Sequence, residues 1–402
     1  MSAPNVPLSN LRAVVILIVV AFHSALAYLA SQPADPFAFD AAPYRWIAFP
    51  ILDQQRWFGF DLFCAWQDIS LMSLMFFLAG LFTPASLRRK GSLAYLSERW
   101  WRIGLPFLFA AGVLSPLAYF ASYRATAADP SAAAFWQHWI ALPMWPAGPA
   151  WFLWQLLVLS TLAVGLHALA PQWVQALGRL AGTFSDRPLA LFISLSALSI
   201  LAYVPLAMIF TPWDWTSLGP FALQLSRPLH YVVYFFVAFA IGSYGIERGV
   251  LRPDGPLARY WPAWLAAAVA SILAWGGLTS LTLAGWASSP PAYRLAAALA
   301  FPPACAAGVF CLLAICLRLM RTRHRLLDSL SANAYRIYLL HYAVVVWLQY
   351  ALFGVRLGAA EKAVIVFVVA LAMSWAASVG WMRLAPLFSD LAGKRAIADQ
   401  LR

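Results

Sequence analysis

The first apolar segment of the sequence, LSNLRAVVILIVVAFHSALAY at residues 8–28, carries an arginine near its start and a histidine further along. Arg12 and His23 are eleven residues apart, almost three helical turns, so their side chains share one helix face about 16 Å apart along the axis. With Arg12 at the inner interface, His23 is expected near the bilayer centre. A neutral imidazole there can accept a proton as a general base. The alternative is a core histidine with structural hydrogen bonds only.

A second histidine lies in the apolar stretch AYRIYLLHY at 334–342. Tyr338 precedes His341 by three residues and shares its helix face. Ionisable groups in membrane helices usually face the bundle interior or a water-filled cavity, so two such histidines favour an internal polar cavity. Helix-to-helix hydrogen bonding by His341 is the alternative.

Two carboxylates, Asp61 and Asp68, fall in the second apolar segment, where an unpaired charge is costly. This segment enters from the outer side, which brings Asp68 to a depth comparable with that of His23. We therefore predict that Asp68 bonds one ring nitrogen of His23. Such a bond fixes the tautomer and makes the other nitrogen the better base.

Two arginines border the third apolar segment in ERWWRIGLP at 98–106. Arg99 and Arg102 are three residues apart and are expected to share a helix face. Guanidinium groups bind phosphate oxygens in a bidentate fork, so the pair suits a phosphorylated ligand arriving from the cytoplasm. The alternative is ordinary cytoplasmic positive charge in contact with lipid headgroups.

The composition predicts an integral membrane protein. Hydrophobic residues make up 63% of the 402 residues and charged residues 10%, against about 25% charged in soluble domains. The net charge of +12 is assigned to basic cytoplasmic loops rather than to nucleic-acid binding. The four cysteines lie in apolar stretches without a metal-binding spacing, so we expect core residues, no disulfide and no metal. They are Cys64, Cys305, Cys311 and Cys316.

The hydrophobic segments predict an all-α polytopic fold with about ten transmembrane helices, since a span needs about 20 apolar residues. The predicted spans are 11–31, 58–83, 103–122, 150–170, 188–210, 229–247, 262–284, 293–318, 333–353 and 362–384. Basic loops follow the second and eighth spans, which predicts cytoplasmic N- and C-termini. We divide the chain into a transmembrane domain at 8–385 and a cytoplasmic tail at 386–402.

The predicted outer segments are rich in tryptophan. Such residues form interfacial belts, although flat rings on this side also suit stacking against a sugar. In GPAWFLWQLL at 148–157, Gly148 and Pro149 break the chain before Trp151, which is also typical of an interfacial anchor. The tryptophans of the outer segments are Trp46, Trp57, Trp136, Trp139, Trp145, Trp213, Trp215 and Trp286.

Together these elements resemble the membrane-bound acyltransferase 3 family over about residues 8–385. The order and spacing of the motifs carry the resemblance. One departure is Pro149, which stands where the family's fourth-span element has a histidine, so that histidine's role is not carried over. The matching pieces are R-x10-H at Arg12 and His23, MFFLAGLF at 75–82, R-x-x-R at Arg99 and Arg102, G-x-x-W-F-L at 148–153, and Ser331, Tyr338 and His341 in S-x-x-A-Y-x-I-Y-L-L-H.

The resemblance implies an O-acyltransferase of the bacterial inner membrane. It would transfer an acyl group, expected to be acetyl, from cytoplasmic acyl-CoA to a hydroxyl of an extracytoplasmic carbohydrate or glycolipid. No tightly bound cofactor is expected beyond the acyl-CoA donor. His23 is assigned as general base with Asp68 as its partner, and Arg12, Arg99 and Arg102 are assigned to acyl-CoA. Residues expected to line the cavity or contact the acceptor are Trp151, Tyr338 and His341.

Two alternatives stay open at the level of sequence. His23 could be acylated transiently rather than act as a base. A proton-coupled transporter or flippase would use His23 and His341 as a relay. Against the transporter, the sequence shows no two-fold internal repeat, which many transporters have.

Overall fold

The computed structural model describes residues 5–33 and 35–400, and beyond residue 383 it describes the helical backbone alone. Within these ranges the fold is almost entirely helical, which confirms the predicted all-α class. The α-helices are α1 (Val6–Ala25), α2 (Phe58–Lys90), α3 (Ser92–Arg99), α4 (Leu105–Phe109), α5 (Ser115–Thr126), α6 (Ala132–Ala141), α7 (Trp151–Leu169), α8 (Pro171–Thr183), α9 (Pro188–Ile209), α10 (Pro228–Tyr244), α11 (Pro256–Arg259), α12 (Trp261–Ser280), α13 (Pro291–Leu319), α14 (Arg325–Ala351) and α15 (Ala359–Gln400).

Shorter elements connect these helices. Strands β1 (Trp215–Leu218) and β2 (Phe221–Gln224) form an antiparallel hairpin between α9 and α10, with Trp215 opposite Gln224. Single turns of 3-10 helix lie at Leu26–Tyr28, Arg45–Ile47 and Gly148–Ala150.

Eight helical stretches of the described chain are long and apolar enough to cross a membrane, so the protein is a multi-pass membrane protein. Two other predicted spans also fall on helices. One is α10, an apolar helix of 17 residues, and the other is α14, which is longer but carries polar residues such as Arg336 and His341. The number of ten spans and the cytoplasmic position of the termini stay predictions, and the side chains of the predicted tail at 386–402 lie outside the described residues.

The third predicted span is not a regular α-helix. π-Helical turns at Trp100–Gly104 and Ala110–Leu114 separate α3, α4 and α5. Each turn precedes a proline, Pro106 or Pro116, which has no N–H and cannot close the usual helical hydrogen bond. The second turn leaves the Ala111 carbonyl available to accept a bond from the Trp145 indole N–H at 2.8 Å.

Helices α2 and α10 approach each other most closely. A Cβ atom on Gly80 would lie 2.1 Å from the Phe235 carbonyl oxygen, and one on Gly242 would lie 2.1 Å from the Leu81 carbonyl oxygen. Small residues allow this close backbone packing, which drives helix association in membranes. The largest apolar cluster surrounds the pair and includes residues of α1, α9, α13 and α14. All four cysteines are buried, as expected of core residues.

The carboxylates of Asp53 and Asp61 fix the position of the segment between α1 and α2. Asp53 forms a buried ion pair with Lys362 of α15, with 2.7 Å between Oδ2 and Nζ. Asp61, at the start of α2, accepts bonds from the backbone N–H groups of Ala30 and Ser31 at 2.8 and 3.0 Å. These contacts hold the segment against the end of α1, where His23 lies.

Candidate active site

Helices α1 and α14 bring the two predicted histidines into contact, although the residues are 318 apart in sequence. Nε2 of His341 lies 3.2 Å from Nδ1 of His23, and the ring centroids are 4.9 Å apart. The two histidines therefore share one helix interface, where His341 makes the helix-to-helix hydrogen bond that the sequence left open as the alternative to a polar cavity.

Backbone carbonyls define the protonation of both rings. Nδ1 of His23 lies 2.8 Å from the Val19 carbonyl oxygen, and Nδ1 of His341 lies 2.7 Å from the Tyr338 carbonyl oxygen. A carbonyl only accepts, so each Nδ1 carries the proton and donates it. Nε2 of neutral His341 is then an acceptor and shares the Nδ1–H of His23. Nε2 of His23 is left with a free lone pair.

The two rings differ in their access to ligands. His341 is fully buried, at 0% exposure, whereas His23 is half-buried. Among the described residues, none forms a hydrogen bond with Nε2 of His23. The half-exposed ring therefore presents a basic nitrogen, and the buried ring supports it from behind.

His23 lies two residues before α1 ends at Ala25, and the 3-10 turn Leu26–Tyr28 follows directly. The ring is thus closer to the predicted extracytoplasmic end of the helix than to its middle. Its spacing from Arg12 alone suggested a more central position. The buried side chain of Gln349 holds this end, because its Nε2 donates to the His23 carbonyl oxygen at 2.9 Å.

Two tyrosines extend the polar contacts toward the segment after α1. The ring of Tyr342 lies edge-on to His23, with centroids 5.3 Å apart. Its hydroxyl donates to the Tyr119 hydroxyl at 3.3 Å, which donates in turn to the Ile47 carbonyl oxygen at 2.8 Å. The site is therefore closed on the Tyr342 side by hydrogen-bonded aromatic residues.

The chain break before α7 forms part of the same site. The Tyr338 hydroxyl donates to the Pro149 carbonyl oxygen. Gly148 has φ +53°, and a Cβ atom there would lie 3.1 Å from the Tyr342 ring, so glycine suits this position for two reasons. A small pocket lies here, and its wall includes Ser115, Pro149, Tyr338 and Tyr342.

The predicted pairing of Asp68 with His23 is wrong in this structure. The Asp68 carboxylate instead holds the guanidinium of Arg227 in a bidentate ion pair, at 2.8 and 2.6 Å. Arg227 is 3% exposed and stacks over the Phe301 ring at 4.8 Å. A buried guanidinium needs a carboxylate, whereas the His23 Nδ1–H already has two acceptors. The residue that supports His23 is His341.

Trp151 lies beside the pocket rather than at the histidines. Its ring stacks on Tyr231 with centroids 6.1 Å apart and meets Trp215 edge-on at 5.4 Å. The contact links the turn before α7 to α10 and to the β-hairpin. Its role toward an acceptor stays a prediction.

The three predicted acyl-CoA arginines lie at the opposite end of the bundle from His23. The exposed Arg12 has its guanidinium 5.7 Å from the Phe82 ring centre. Arg99 is half-buried and stacks over Tyr95 at 4.8 Å. The Arg102 side chain is 75% exposed and forms an ion pair with Glu98 at 3.0 Å.

Arg99 and Arg102 thus contact different neighbours. Arg102 lies within the π-helical turn Trp100–Gly104, which begins directly after Arg99 and changes the angular spacing that a regular α-helix would give. Glu98 also pairs with Lys90, so this end of the bundle carries both signs of charge.

The tryptophans of the outer segments differ in exposure: Trp46, Trp139 and Trp286 are buried, Trp145 is half-buried, and the remaining four are exposed. Trp46 and Trp139 are each 1% exposed and pack with Tyr119 in an aromatic cluster, so they serve the core. Others remain exposed, and these alone suit the predicted stacking of a sugar. The exposed members are Trp57, Trp136, Trp213 and Trp215.

Sequence reasoning missed three residues that shape the site, Gln349, Tyr342 and Tyr119. Tyr342 follows a predicted site histidine directly, so its aromatic ring was the available signal. Gln349 is a polar residue inside an apolar segment, which is the same signal that drew attention to the histidines. In the part of the chain that the structure describes, no group of three or more His, Cys, Asp or Glu side chains could hold a metal ion.

The amino-acid sequence was compared with protein families, with curated proteins and with solved structures. A family model described as an acyltransferase domain matches residues 6–379. The match includes the first helix, the arginines of α3 and the following turn, the turn before α7, and α14. No match was found among curated proteins or among solved structures.

Proposed function

The chain belongs to the acyltransferase 3 family, and from this premise we propose that it transfers an acyl group from cytoplasmic acyl-CoA to a hydroxyl of an extracytoplasmic carbohydrate or glycolipid. Acetyl-CoA is the expected donor, and the bacterial inner membrane is the expected location. One observation carries the proposal. His23 has its Nδ1–H committed to Val19 and His341, so its half-exposed ring offers Nε2 as a base.

The proposed reaction begins with proton transfer to Nε2 of His23. Nε2 of His23 takes the proton of the acceptor hydroxyl as the oxygen attacks the thioester carbonyl carbon. The new ester C–O bond forms, the C–S bond breaks, and the proton passes from Nε2 to the departing CoA thiolate. General base catalysis of this kind contributes about 10²–10⁴-fold to the rate.

His341 supports the step through a change in charge. When His23 holds the extra proton, its Nδ1–H becomes a charged donor toward the Val19 carbonyl and Nε2 of His341. Hydrogen bonds from charged donors are roughly twice as strong as neutral ones, so the contact strengthens as the reaction proceeds. This differential binding is what accelerates a chemical step.

The two substrates are proposed to enter from opposite ends. Arg12, Arg99 and Arg102 offer guanidinium groups to the CoA phosphates at the predicted cytoplasmic end. The acceptor arrives from the other end, where His23 lies near the end of α1. A site within the bundle also keeps water away from the thioester.

A proton-coupled transporter is the second candidate, because the two histidines are in hydrogen-bonding contact. A relay needs a group beyond His341 that can carry the proton onward. The Nδ1–H of His341 donates to the Tyr338 carbonyl, which cannot pass a proton along the chain. This geometry and the family membership favour acyl transfer.

The test uses purified protein in lipid nanodiscs with acetyl-labelled acetyl-CoA and extracted cell-surface glycan. We expect label on the glycan, with a loss of at least about 100-fold in His23→Ala. His167→Ala, which alters a histidine at the far end of α7, is the matched control and should keep the activity. Movement of unmodified substrate across vesicles without any acyl transfer would contradict the proposal.

The same preparation separates a base from a covalent intermediate. Without acceptor, His23 acting as a base leaves the protein unlabelled. Label trapped on His23 by rapid denaturation at neutral pH would instead support an acyl-histidine intermediate.

A further inference from the structure

Helix α8 is a short helix that the proposed reaction does not use. It has 13 residues, too few to cross a membrane, and it joins α7 to α9. Helix α7 begins after the Gly148–Ala150 turn on the His23 side of the bundle and runs for 19 residues, about 28 Å at the usual helical rise. Helix α8 therefore lies at the opposite end of the bundle from His23, which is the predicted cytoplasmic end.

One face of α8 packs on α10. Val174, Gly178 and Ala181 are the buried residues of this face. A Cβ atom on Gly182 would lie 2.5 Å from the ring of Tyr244, the last residue of α10, so glycine favours this close approach. Helix α8 is thus held against the end of α10 by its small side chains.

A second face of α8 exposes large apolar side chains. Trp173 is 62% exposed and Leu180 is 56% exposed. The two residues are seven apart, almost two helical turns, so their side chains share one face, with the half-buried Leu177 between them. The described part of the bundle leaves this apolar edge uncovered.

The third face of α8 is polar. At the angular spacing of an α-helix, the centres of the packed, apolar and polar faces are roughly 100–140° apart. This arrangement suits a helix in the plane of the membrane surface, with one side on the bundle, one in the acyl chains and one toward water. The exposed residues of the polar face are Gln172, Gln175, Arg179 and Thr183.

The segments directly before and after α8 also expose apolar side chains. Leu169, the last residue of α7, is 86% exposed, and Leu189 and Ile193 at the start of α9 are 61% and 58% exposed. Helices α7 and α9 are long and apolar enough to cross a membrane, so these side chains are expected to face lipid. The apolar edge of α8 continues that surface.

The charges near α8 favour the cytoplasmic leaflet. Arg179 and Arg187 are exposed, and the one carboxylate of the same segment, Asp186, already pairs with Arg252. Lipids of the cytoplasmic leaflet carry negative charge and attract arginine at the membrane surface.

We propose that α8 is an interfacial helix, which places Trp173 and Leu180 among the acyl chains of the cytoplasmic leaflet and Arg179 at the level of the headgroups. A tryptophan suits this depth, because its ring is apolar and its N–H reaches polar headgroups. Since α8 packs on α10, its contact with the leaflet fixes the depth of α10 in the membrane. The inference does not depend on acyl transfer.

The test attaches a nitroxide spin label to Trp173→Cys, Leu180→Cys or Gln175→Cys in protein reconstituted in lipid nanodiscs. Gln175 is the matched control, since it is exposed on the polar face of the same helix. The four native cysteines are buried, and labelling of the unaltered protein measures their background. Collisions of the label with oxygen, which concentrates in acyl chains, are compared with collisions with a water-soluble nickel chelate.

We expect oxygen collisions to exceed nickel collisions at positions 173 and 180, with the ratio reversed at position 175. An excess of nickel collisions at 173 and 180 would overturn the proposal, because the apolar edge would then face water. An excess of oxygen collisions at 175 would also overturn it, because α8 would then be surrounded by acyl chains.

A membrane-impermeant maleimide tests the leaflet. Gln175→Cys should react in inverted membrane vesicles and stay unlabelled in intact spheroplasts. Ala287→Cys, an exposed position beside Trp286 in a predicted outer segment, is the control and should show the opposite pattern. Labelling of Gln175→Cys in intact spheroplasts would overturn the assignment of α8 to the cytoplasmic leaflet.

Discussion

His23 and His230 are both histidines within apolar helices, yet their surroundings differ in one decisive way. His230 is fully buried, and both ring nitrogens contact hydroxyls, with Nδ1 2.5 Å from Ser199 Oγ and Nε2 2.9 Å from Ser73 Oγ. His23 has Nδ1 in hydrogen bonds, and no residue that the structure describes bonds its Nε2. A histidine inside a membrane helix is a candidate base when a ring nitrogen is left without a partner and the ring is reachable.

The partners of the two rings also differ in kind. Hydroxyls donate or accept, so the serines around His230 adapt to either tautomer. The carbonyls of Val19 and Tyr338 only accept and fix one tautomer in each ring of the His23–His341 pair. His230 therefore ties α10 to α2 and α9, whereas the His23–His341 pair is held in one orientation, which the proposed role of His23 as a base requires.

The largest expected effect separates these two roles by matched substitutions. His23→Gln should lower kcat by about 10²–10⁴-fold, because it removes the proposed base. Thermal stability should change little, because the His23 ring is only half-buried. His230→Leu should leave two buried serine hydroxyls unpaired, at about 1–3 kcal/mol each, and lower stability while the folded fraction keeps its kcat. Single-turnover transfer and thermal unfolding in detergent measure both. The comparison fails if His230→Leu lowers kcat as much as His23→Gln does.

The next effect concerns Asp68, which is next to Arg227 rather than His23. Asp68→Asn removes the charge opposite a buried guanidinium and should lower the free energy of unfolding by about 2 kcal/mol. This is below the 3–5 kcal/mol typical of breaking a buried pair, because Asp68 is partly exposed and asparagine still accepts a bond. The kcat of the folded protein should stay within about threefold, a loss below 1 kcal/mol.

Asp61→Asn is the control for that measurement, since Asp61 is a carboxylate of the same helix whose partners are backbone N–H groups. If Asp68→Asn instead lowered kcat by about 100-fold while stability stayed unchanged, the predicted catalytic pairing with His23 would be restored.

The smallest effect is expected from substitutions of His341. This residue contacts Nδ1 of His23, whereas the nitrogens of His230 contact serine hydroxyls. His341→Leu removes the acceptor for the His23 Nδ1–H and should lower kcat about tenfold, since the Val19 carbonyl remains as a second acceptor. His341→Gln restores an acceptor oxygen and should recover part of that loss, with KM for acceptor unchanged. Equal kcat in the two variants would show that the contact does not act on the base.

The sequence predicted the helices well because apolar length is a local property. Each of the ten predicted spans falls on a helix. The cost of polar groups among apolar helices drew attention to both histidines, but their contact with each other was not predicted.

The errors arose where partners come from elsewhere in the chain. Arg227 lies between two predicted spans, next to the start of α10, so nothing local revealed that it would pair with Asp68. Likewise, Trp46 and Trp139 looked like interfacial residues, but the segment after α1 folds back and buries them. A regular α-helix was assumed for Arg99 and Arg102, and prolines downstream replaced it with π-helical turns.

The glycine contacts between α2 and α10 bear on how substrates reach His23. Gly80 and Gly242 let the two backbones touch, so neither helix can slide or rotate past the other without a collision. Helices α2 and α10 therefore form a rigid unit within the bundle. Any motion that admits the substrates of the proposed reaction is then expected from other elements, and the π-helical turns between α3 and α5 already interrupt the regular helical hydrogen bonding there.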